Sequence, residues 1–158
     1  MLDDIVLDTN VLKHASDTRR QDHRRIALFL QRLRKGKTKL CVDPGFDFGK
    51  EANNRSRIGM EYLTHLTPGD MGYELVRFLA SNERVRVTTK EISHANAKTL
   101  NQSVRDKSDR VFVRVACNAA EKLLASHDTS AFSKRTCKLV YEALGVEIVT
   151  AVQADERL

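Results

Sequence analysis

The stretch "IVLDTN", residues 5–10, is the part of the sequence that decides the expected fold. Ile5, Val6 and Leu7 are typical of a short buried strand, and Asp8 follows at the point where that strand leaves the core. We expect the strand to cover residues 4–8 and a short helix to begin at about Asn10. Asp8 is therefore either the N-cap of this helix or a functional carboxylate at the end of a strand.

Short apolar strands and amphipathic helices alternate along the rest of the chain. Further strands are predicted at residues 40–42, 85–89, 123–126 and 146–149, and helices at about 20–35, 46–65, 71–81, 112–123 and 132–143. The segment up to about Lys107 is compatible with a modest helix or a loop. This alternation predicts an α/β fold with a central, mostly parallel sheet. The length predicts a single domain over residues 1–158.

The composition indicates a soluble protein with an affinity for polyanions. The formal net charge is +6, and nine basic residues but only one acid, Asp22, lie between Arg19 and Lys39. Such a segment is typical of a nucleic-acid-binding surface, or equally of a solvated helix face. The acidic start "MLDDIV" leads us to expect no signal peptide, and no apolar run approaches the ~18 residues of a membrane helix. Three scattered cysteines favour free thiols in a reducing cytoplasm.

Four acidic residues are predicted to meet at one edge of the sheet. Asp8 and Asp128 each follow a predicted strand, Asp109 precedes a helical stripe, and Glu51 lies one or two turns into the helix after the second strand. Clustered carboxylates repel one another, and divalent cations such as Mg²⁺ or Mn²⁺ relieve that repulsion. Thr9 and Asn10 are then expected to orient Asp8 by hydrogen bonds.

Each acid also has an interpretation without catalysis. Asp8 is a possible N-cap, and Asp109 a first-turn acid that complements a helix dipole, with Asp106 or Ser108 as the cap. Asp128 is compatible with a helix cap or an Asx turn, and Glu51 with a solvated helix position. The shared position of all four at one sheet edge favours the metal site.

At these residues the sequence resembles the PIN-domain ribonucleases, a family related to the FLAP nucleases. The resemblance covers five segments in order, "IVLDTNVL", "LCVDPGFDFGKEANN", "DRVFVRVA", "LLASHDTSAF" and "GVEIVT". It implies a three-layer fold with helices on both sides of the sheet. It also implies metal-binding and catalytic roles for Asp8, Glu51, Asp109 and Asp128, with Ser126 in support.

The match leaves three points open. Asp43 or Asp47 could replace Glu51, and Asp106 competes with Asp109. Many family members carry a further aspartate where this chain has Ser130, so weaker occupancy of a second metal is expected.

The resemblance predicts a metal-dependent endoribonuclease in which a cation-activated water cleaves the phosphodiester. The implied partners are RNA, an antitoxin protein if the chain is the toxin of a toxin–antitoxin pair, and a second copy in a homodimer. The alternative is a catalytically inactive PIN-like domain that binds nucleic acid or acts as a scaffold. The residues predicted to hold the RNA backbone are Arg19, Arg20, Arg24, Arg25, Lys50, Arg55 and Arg57.

Overall fold

Five strands and eight α-helices alternate along the chain, and the computed structural model describes all 158 residues. The strands are β1 Asp4–Leu7, β2 Lys39–Val42, β3 Val85–Val87, β4 Leu123–Ala125 and β5 Glu147–Val149. The helices are α1 Thr9–His14, α2 His23–Lys35, α3 Arg57–His65, α4 Met71–Ser81, α5 His94–Ser103, α6 Lys107–Asn118, α7 Lys134–Leu144 and α8 Ala151–Asp155. None of these helices combines the length and the apolar character needed to cross a membrane.

The strands form one sheet in the order β3-β2-β1-β4-β5, and every neighbouring pair is parallel. β1 is central: Ile5 lies opposite Leu40 of β2, and Val6 lies opposite Leu124 of β4. Along the chain, β2 and β3 extend the sheet on one side of β1, and β4 and β5 then extend it on the other side. The order therefore reverses between β1 and β4, and ligands bind at such switch points beyond the carboxyl ends of the strands.

Helices cover both faces of the sheet, which confirms the predicted three-layer α/β/α fold. α6 packs against β1, β2 and β4, and α7 packs against β5 and α5. α2 packs against α4 and α8 in the other helical layer. The core between the layers is a continuous cluster of 38 buried apolar residues, so burial of apolar surface supplies the main driving force for this arrangement.

Most predicted elements are confirmed within a few residues. The helix predicted over residues 71–81 is α4, and Gly145 ends α7 with φ of 70°, the left-handed geometry that favours glycine at this position. The undecided segment before Lys107 contains α5, whereas α8 was not predicted.

The helix predicted from about residue 46 to 65 is wrong in its first half. Only Arg57–His65 is α-helical, and a single 3₁₀ turn covers Glu51–Asn53. The reason is capping: Ser56 accepts a hydrogen bond from the Gly59 amide, and buried Asp43 accepts from the Arg57 and Ile58 amides. These contacts satisfy the free N–H groups of a helix that starts at Arg57.

Asp4 anchors the amino end of the sheet. Its fully buried carboxylate accepts hydrogen bonds from the Ala120 and Glu121 amides, which precede β4, and pairs with Arg86 of β3. Burial acts to raise the Asp4 pKa, but the two amides and Arg86 outweigh it and the pKa is lowered. The ionised carboxylate therefore joins three separate strands of the sheet.

We expect Asp4→Ala to lower the free energy of unfolding by about 3 kcal/mol or more, because it leaves two amides and a guanidinium without their acceptor. The neighbouring Asp3→Ala is the matched control, since Asp3 is exposed and lies 3.6 Å from the same arginine. That change should cost less than about 0.5 kcal/mol. Urea unfolding of both variants checks the difference, and equal losses would contradict the role of Asp4.

Candidate active site

Asp8 lies at the carboxyl end of β1, beside the switch point of the sheet. Its side chain is buried, and its Oδ2 accepts hydrogen bonds from Ser126 Oγ at 2.6 Å and from Asn10 Nδ2 at 3.2 Å. Asp8 occupies the N-cap position of α1 but makes no side-chain capping hydrogen bond. The carboxylate is therefore held mainly by side chains that surround the crevice, and the contact from Asn10 is the one expected from the sequence.

Ser126 links Asp8 to Asp128. Its hydroxyl donates to Asp8 and accepts from the Asp128 amide at 3.1 Å. Asp128 Oδ1 accepts from the Ser130 and Ala131 amides, which is the Asx-type turn of its non-catalytic interpretation. No hydrogen bond engages Asp128 Oδ2, so one oxygen of this half-buried carboxylate is available to a ligand. The Ser130 backbone thus helps to fix Asp128.

Asp109 joins these two carboxylates from the first turn of α6. Burial, together with the charges of Asp8, Asp106, Asp128 and Glu61, raises the pKa of Asp109 to about 7. Burial also raises the pKa of Asp8, with the charge of Asp128 adding to it and the Ser126 hydrogen bond opposing it. Asp8, Asp109 and Asp128 are hereafter called the carboxylate cluster, because the charge of Asp128 disfavours ionisation of Asp8 and the charges of both disfavour ionisation of Asp109.

The fourth acid near this cluster is Glu61, whereas Glu51 was predicted. Glu61 lies on α3, which packs against α6, and its charge acts on Asp109. Glu51 lies on the exposed 3₁₀ turn, where its nearest polar partner is the Tyr73 hydroxyl at 3.5 Å. Glu61 was not predicted because the helix was expected to begin about ten residues earlier than it does. The signal that marks the true start is Ser56, a favourable N-cap residue.

Asp43, Asp47 and Asp106 each have a structural role instead. Asp43 is fully buried and accepts from Ser56 Oγ, two α3 amides and Lys90 Nζ, so its oxygens are already occupied. Asp47 accepts from the Gly49 and Lys50 amides in the loop after β2. Asp106 is the N-cap of α6, with its carboxylate bound to the Ser108 amide. Asp109 is therefore the α6 acid that faces the cluster.

The donor set fits a divalent cation that keeps part of its water shell better than a cation bound only by protein oxygens. All candidate donors are carboxylate oxygens, which suit Mg²⁺ or Mn²⁺. The buried Thr9 hydroxyl beside Asp8 has no hydrogen-bond partner, so it does not orient Asp8 as expected and is instead available to a ligand or water. No three acidic, His or Cys side chains are close enough to hold one ion directly. Mg²⁺ commonly keeps several waters and binds directly to only one or two carboxylates, so a hydrated ion would not require three acids in direct contact with it.

His127 has a structural role next to the cluster. Its ring stacks on His14 with centroids 5.2 Å apart, and the two Nδ1 atoms lie 2.9 Å from each other. His127 Nε2 accepts from the Ala151 amide, and the His127 amide donates to Asn10 Oδ1. Burial lowers the pKa of His127 to about 4, with the charges of His14 and Arg20 acting in the same direction. The ring is thus neutral near pH 7 and both of its nitrogens have partners.

The predicted basic surface is partly neutralised. Arg19 pairs with Asp17, and Arg20 makes two hydrogen bonds to Asp22. Arg24 and Arg25 are exposed on α2 and form no ion pair.

Lys50, Arg55 and Arg57 were predicted to share one helix, which is wrong. Lys50 and Arg55 flank the 3₁₀ turn, and only Arg57 belongs to α3. All three are exposed. Their contacts with RNA stay predictions.

Comparison with known proteins assigns no family: no protein-family model matches the chain, and no curated protein matches it.

The raised pKa of Asp109 makes stability depend on pH. The folded state holds this proton more tightly than the unfolded chain, so stability should fall as pH rises from about 4 to about 7. In EDTA, we expect Asp109→Asn to stabilise the fold at about pH 8 by on the order of 1 kcal/mol, with solvent screening taken into account. Near pH 4 the effect should vanish. Urea unfolding at both pH values is the measurement, and a pH-independent difference would contradict the cluster.

Proposed function

We propose that this chain is a metal-dependent endoribonuclease of the PIN type. The observation that carries the proposal is the carboxylate cluster itself. Asp8, Asp109 and Asp128 come from three distant parts of the sequence to the switch point of an all-parallel sheet, where the charge of Asp128 adds to the raised pKa of Asp8 and both charges add to the raised pKa of Asp109. Such an arrangement costs stability unless a cation or a positively charged ligand compensates it. RNA as the substrate, Mg²⁺ or Mn²⁺ as the cofactor and the PIN family itself rest on the sequence resemblance.

Each residue of the site has a distinct task in this proposal. One or two of the Asp8, Asp109 and Asp128 carboxylates would bind the cation directly, and the remaining ones, with Glu61 of α3, would act on it through its bound water. A divalent cation bound there supplies positive charge that activates water and stabilises the charge that develops on the phosphate. Ser126 and Asn10 hold Asp8 in one rotamer, so little reorganisation is needed when the ligand arrives. Asp109, with a pKa of about 7, gives up its proton as positive charge approaches.

The first test is cleavage of a labelled single-stranded RNA with Mn²⁺, with and without EDTA. We expect Asp8→Asn to lower the rate by about a hundredfold or more, because a neutral amide neither binds the cation nor stabilises positive charge. The fold should persist, since an amide oxygen still accepts from Ser126. Asp3→Asn, at the opposite end of β1, is the control and should cleave like the wild type. Full activity of Asp8→Asn, or cleavage in EDTA, would refute the proposal.

The identity of the fourth acid is a second test. Glu61→Gln should lower cleavage about tenfold or more at limiting Mn²⁺, with part of the loss recovered at high Mn²⁺, because the cation loses one nearby charge. Glu51→Gln should leave the rate unchanged, since Glu51 lies beside Tyr73 outside the cluster. The rate measured against Mn²⁺ concentration distinguishes the two variants. The reverse result would restore Glu51 to the role predicted from the sequence.

Direct metal binding separates an enzyme from an inactive scaffold. Mg²⁺ or Mn²⁺ should raise the melting temperature of the wild type but not that of Asp8→Asn, because a ligand that binds only the folded state stabilises it. RNA binding that falls with salt, without cleavage and without stabilisation by metal, would instead indicate the scaffold.

A further inference from the structure

A cavity of about 490 Å³ opens beside the carboxylate cluster and has no role in the proposed chemistry. It lies beyond the carboxyl ends of β4 and β5, between the starts of α7 and α8. Asp128 and Ser126 form its border with the cluster. The volume falls within the range of small-ligand pockets, roughly 300–1,000 Å³. A group bound here would therefore lie next to a phosphate held at the cluster.

The cavity lining combines apolar, neutral polar and charged side chains. Its apolar residues are Phe132, Cys137, Ile148 and Val149. Its polar residues include Thr129, Thr150 and Gln153, and its charged residues are the bases Arg20 and Lys134 and the acids Asp22 and Asp128, with neutral His127 beside them. A flat heteroaromatic base presents apolar faces and polar edges, and its phosphate requires a cation. The lining thus matches a nucleotide better than a purely apolar or purely ionic ligand.

Gln153 offers free donors to the cavity. Its Oε1 accepts from the Thr150 amide at 2.9 Å and from the Thr150 hydroxyl at 3.2 Å, as part of the capping box of α8. These contacts fix the amide group and leave its Nε2 without a protein partner. A fixed amide donor is suited to an acceptor atom on a base edge.

Lys134 is the unpaired cation of the cavity. It is exposed at the first position of α7 and forms no ion pair, whereas Arg20 is held by Asp22 through two hydrogen bonds. Lys134 is therefore free to bind a phosphate, and Arg20 keeps a fixed position on the wall.

We propose that this cavity binds one unstacked nucleotide of a single-stranded RNA, next to the phosphate that is cleaved at the carboxylate cluster. The inference rests on the proposed nuclease function and adds to it a nucleotide-binding subsite beside the carboxylates. A paired base cannot enter such a cavity without leaving its helix, so single strands and loops are the substrates and duplexes are poor ones.

The first experiment measures binding of the four ribonucleoside 5′-monophosphates to the wild-type protein in EDTA, by calorimetry. At least one should bind saturably below about 10 mM. Lys134→Ala should weaken that binding about fivefold to tenfold, through loss of the phosphate contact. The matched control is Lys138→Ala, one turn along the same helix. Lys138 is exposed, lies 3.8 Å from Glu142 and does not line the cavity, so this change should have no effect.

Thiol labelling locates the bound nucleotide. Cys137 lines the cavity, while Cys117 is also half-buried but lies elsewhere. The nucleotide should slow alkylation of Cys137, measured by mass spectrometry, and leave alkylation of Cys117 unchanged. Equal effects on both thiols, or none on either, would place the nucleotide outside this cavity and overturn the proposal.

Sequence preference tests the role of Gln153. Gln153→Glu keeps the oxygen that accepts from Thr150 but removes the Nε2 donors, so the capping box and the melting temperature should persist. The substrate is a single-stranded RNA of mixed sequence. We expect the cleavage rate of Gln153→Glu to fall about tenfold at the preferred nucleotide and by less at the other nucleotides. An unchanged preference would remove Gln153 as the residue that contacts the base.

The two proposals fail in different ways. Absence of saturable binding by any mononucleotide, together with cleavage that still needs Asp8 and metal, would refute the cavity and leave the nuclease. Nucleotide binding that protects Cys137, in a protein that never cleaves RNA, would refute the nuclease and show a nucleotide-binding site alone. Cleavage of duplex RNA as fast as single strands would overturn the inferred substrate class.

Discussion

The central position of β1 is the constraint on which the rest of the structure depends. Because β1 pairs with β2 on one side and with β4 on the other, the order of the sheet reverses at its carboxyl end. The backbone segments that leave β1 and β4 then diverge and open a crevice. The same pairing brings Ser126 within 2.6 Å of Asp8, although 118 positions separate them in sequence. The fold and the carboxylate cluster thus depend on one strand pairing.

The buried and half-buried carboxylates of this protein fall into two groups. Asp4 and Asp43 are fully buried but surrounded by backbone amides and paired with Arg86 and Lys90, so they join elements together. Asp8 and Asp109 are raised in pKa by burial and by other acids. The first kind stabilises the fold, and the second kind costs stability. Uncompensated charge of this sort is typical of sites that bind a cation or a polyanion with its counterions.

The positive charge of the chain is also divided by the tertiary structure. Composition assigns the segment from Arg19 to Lys39 to one basic surface, but Arg32 pairs with Asp155 and the Arg34 guanidinium lies 4.5 Å from the centre of the Phe78 ring. Lys134, far away in sequence, is the unpaired cation of the cavity beside the carboxylate cluster. A count of charges along the chain therefore overstates the free positive charge of the segment from Arg19 to Lys39 and overlooks Lys134 at the cavity. The reason is that ion pairs form between distant segments.

Local sequence determined the α/β class, the bounds of α4, the glycine that ends α7 and the position of Asp8 at the end of β1. These features depend on hydrophobic periodicity, capping and turn residues, all of which act over a few neighbouring positions. Tertiary structure decided which acids meet. Asp43 caps α3 at its start by binding the Arg57 and Ile58 amides, and the packing of α3 on α6 lets the charge of Glu61, which was not predicted, act on Asp109. Such choices depend on contacts between segments far apart in the chain, which no local pattern encodes.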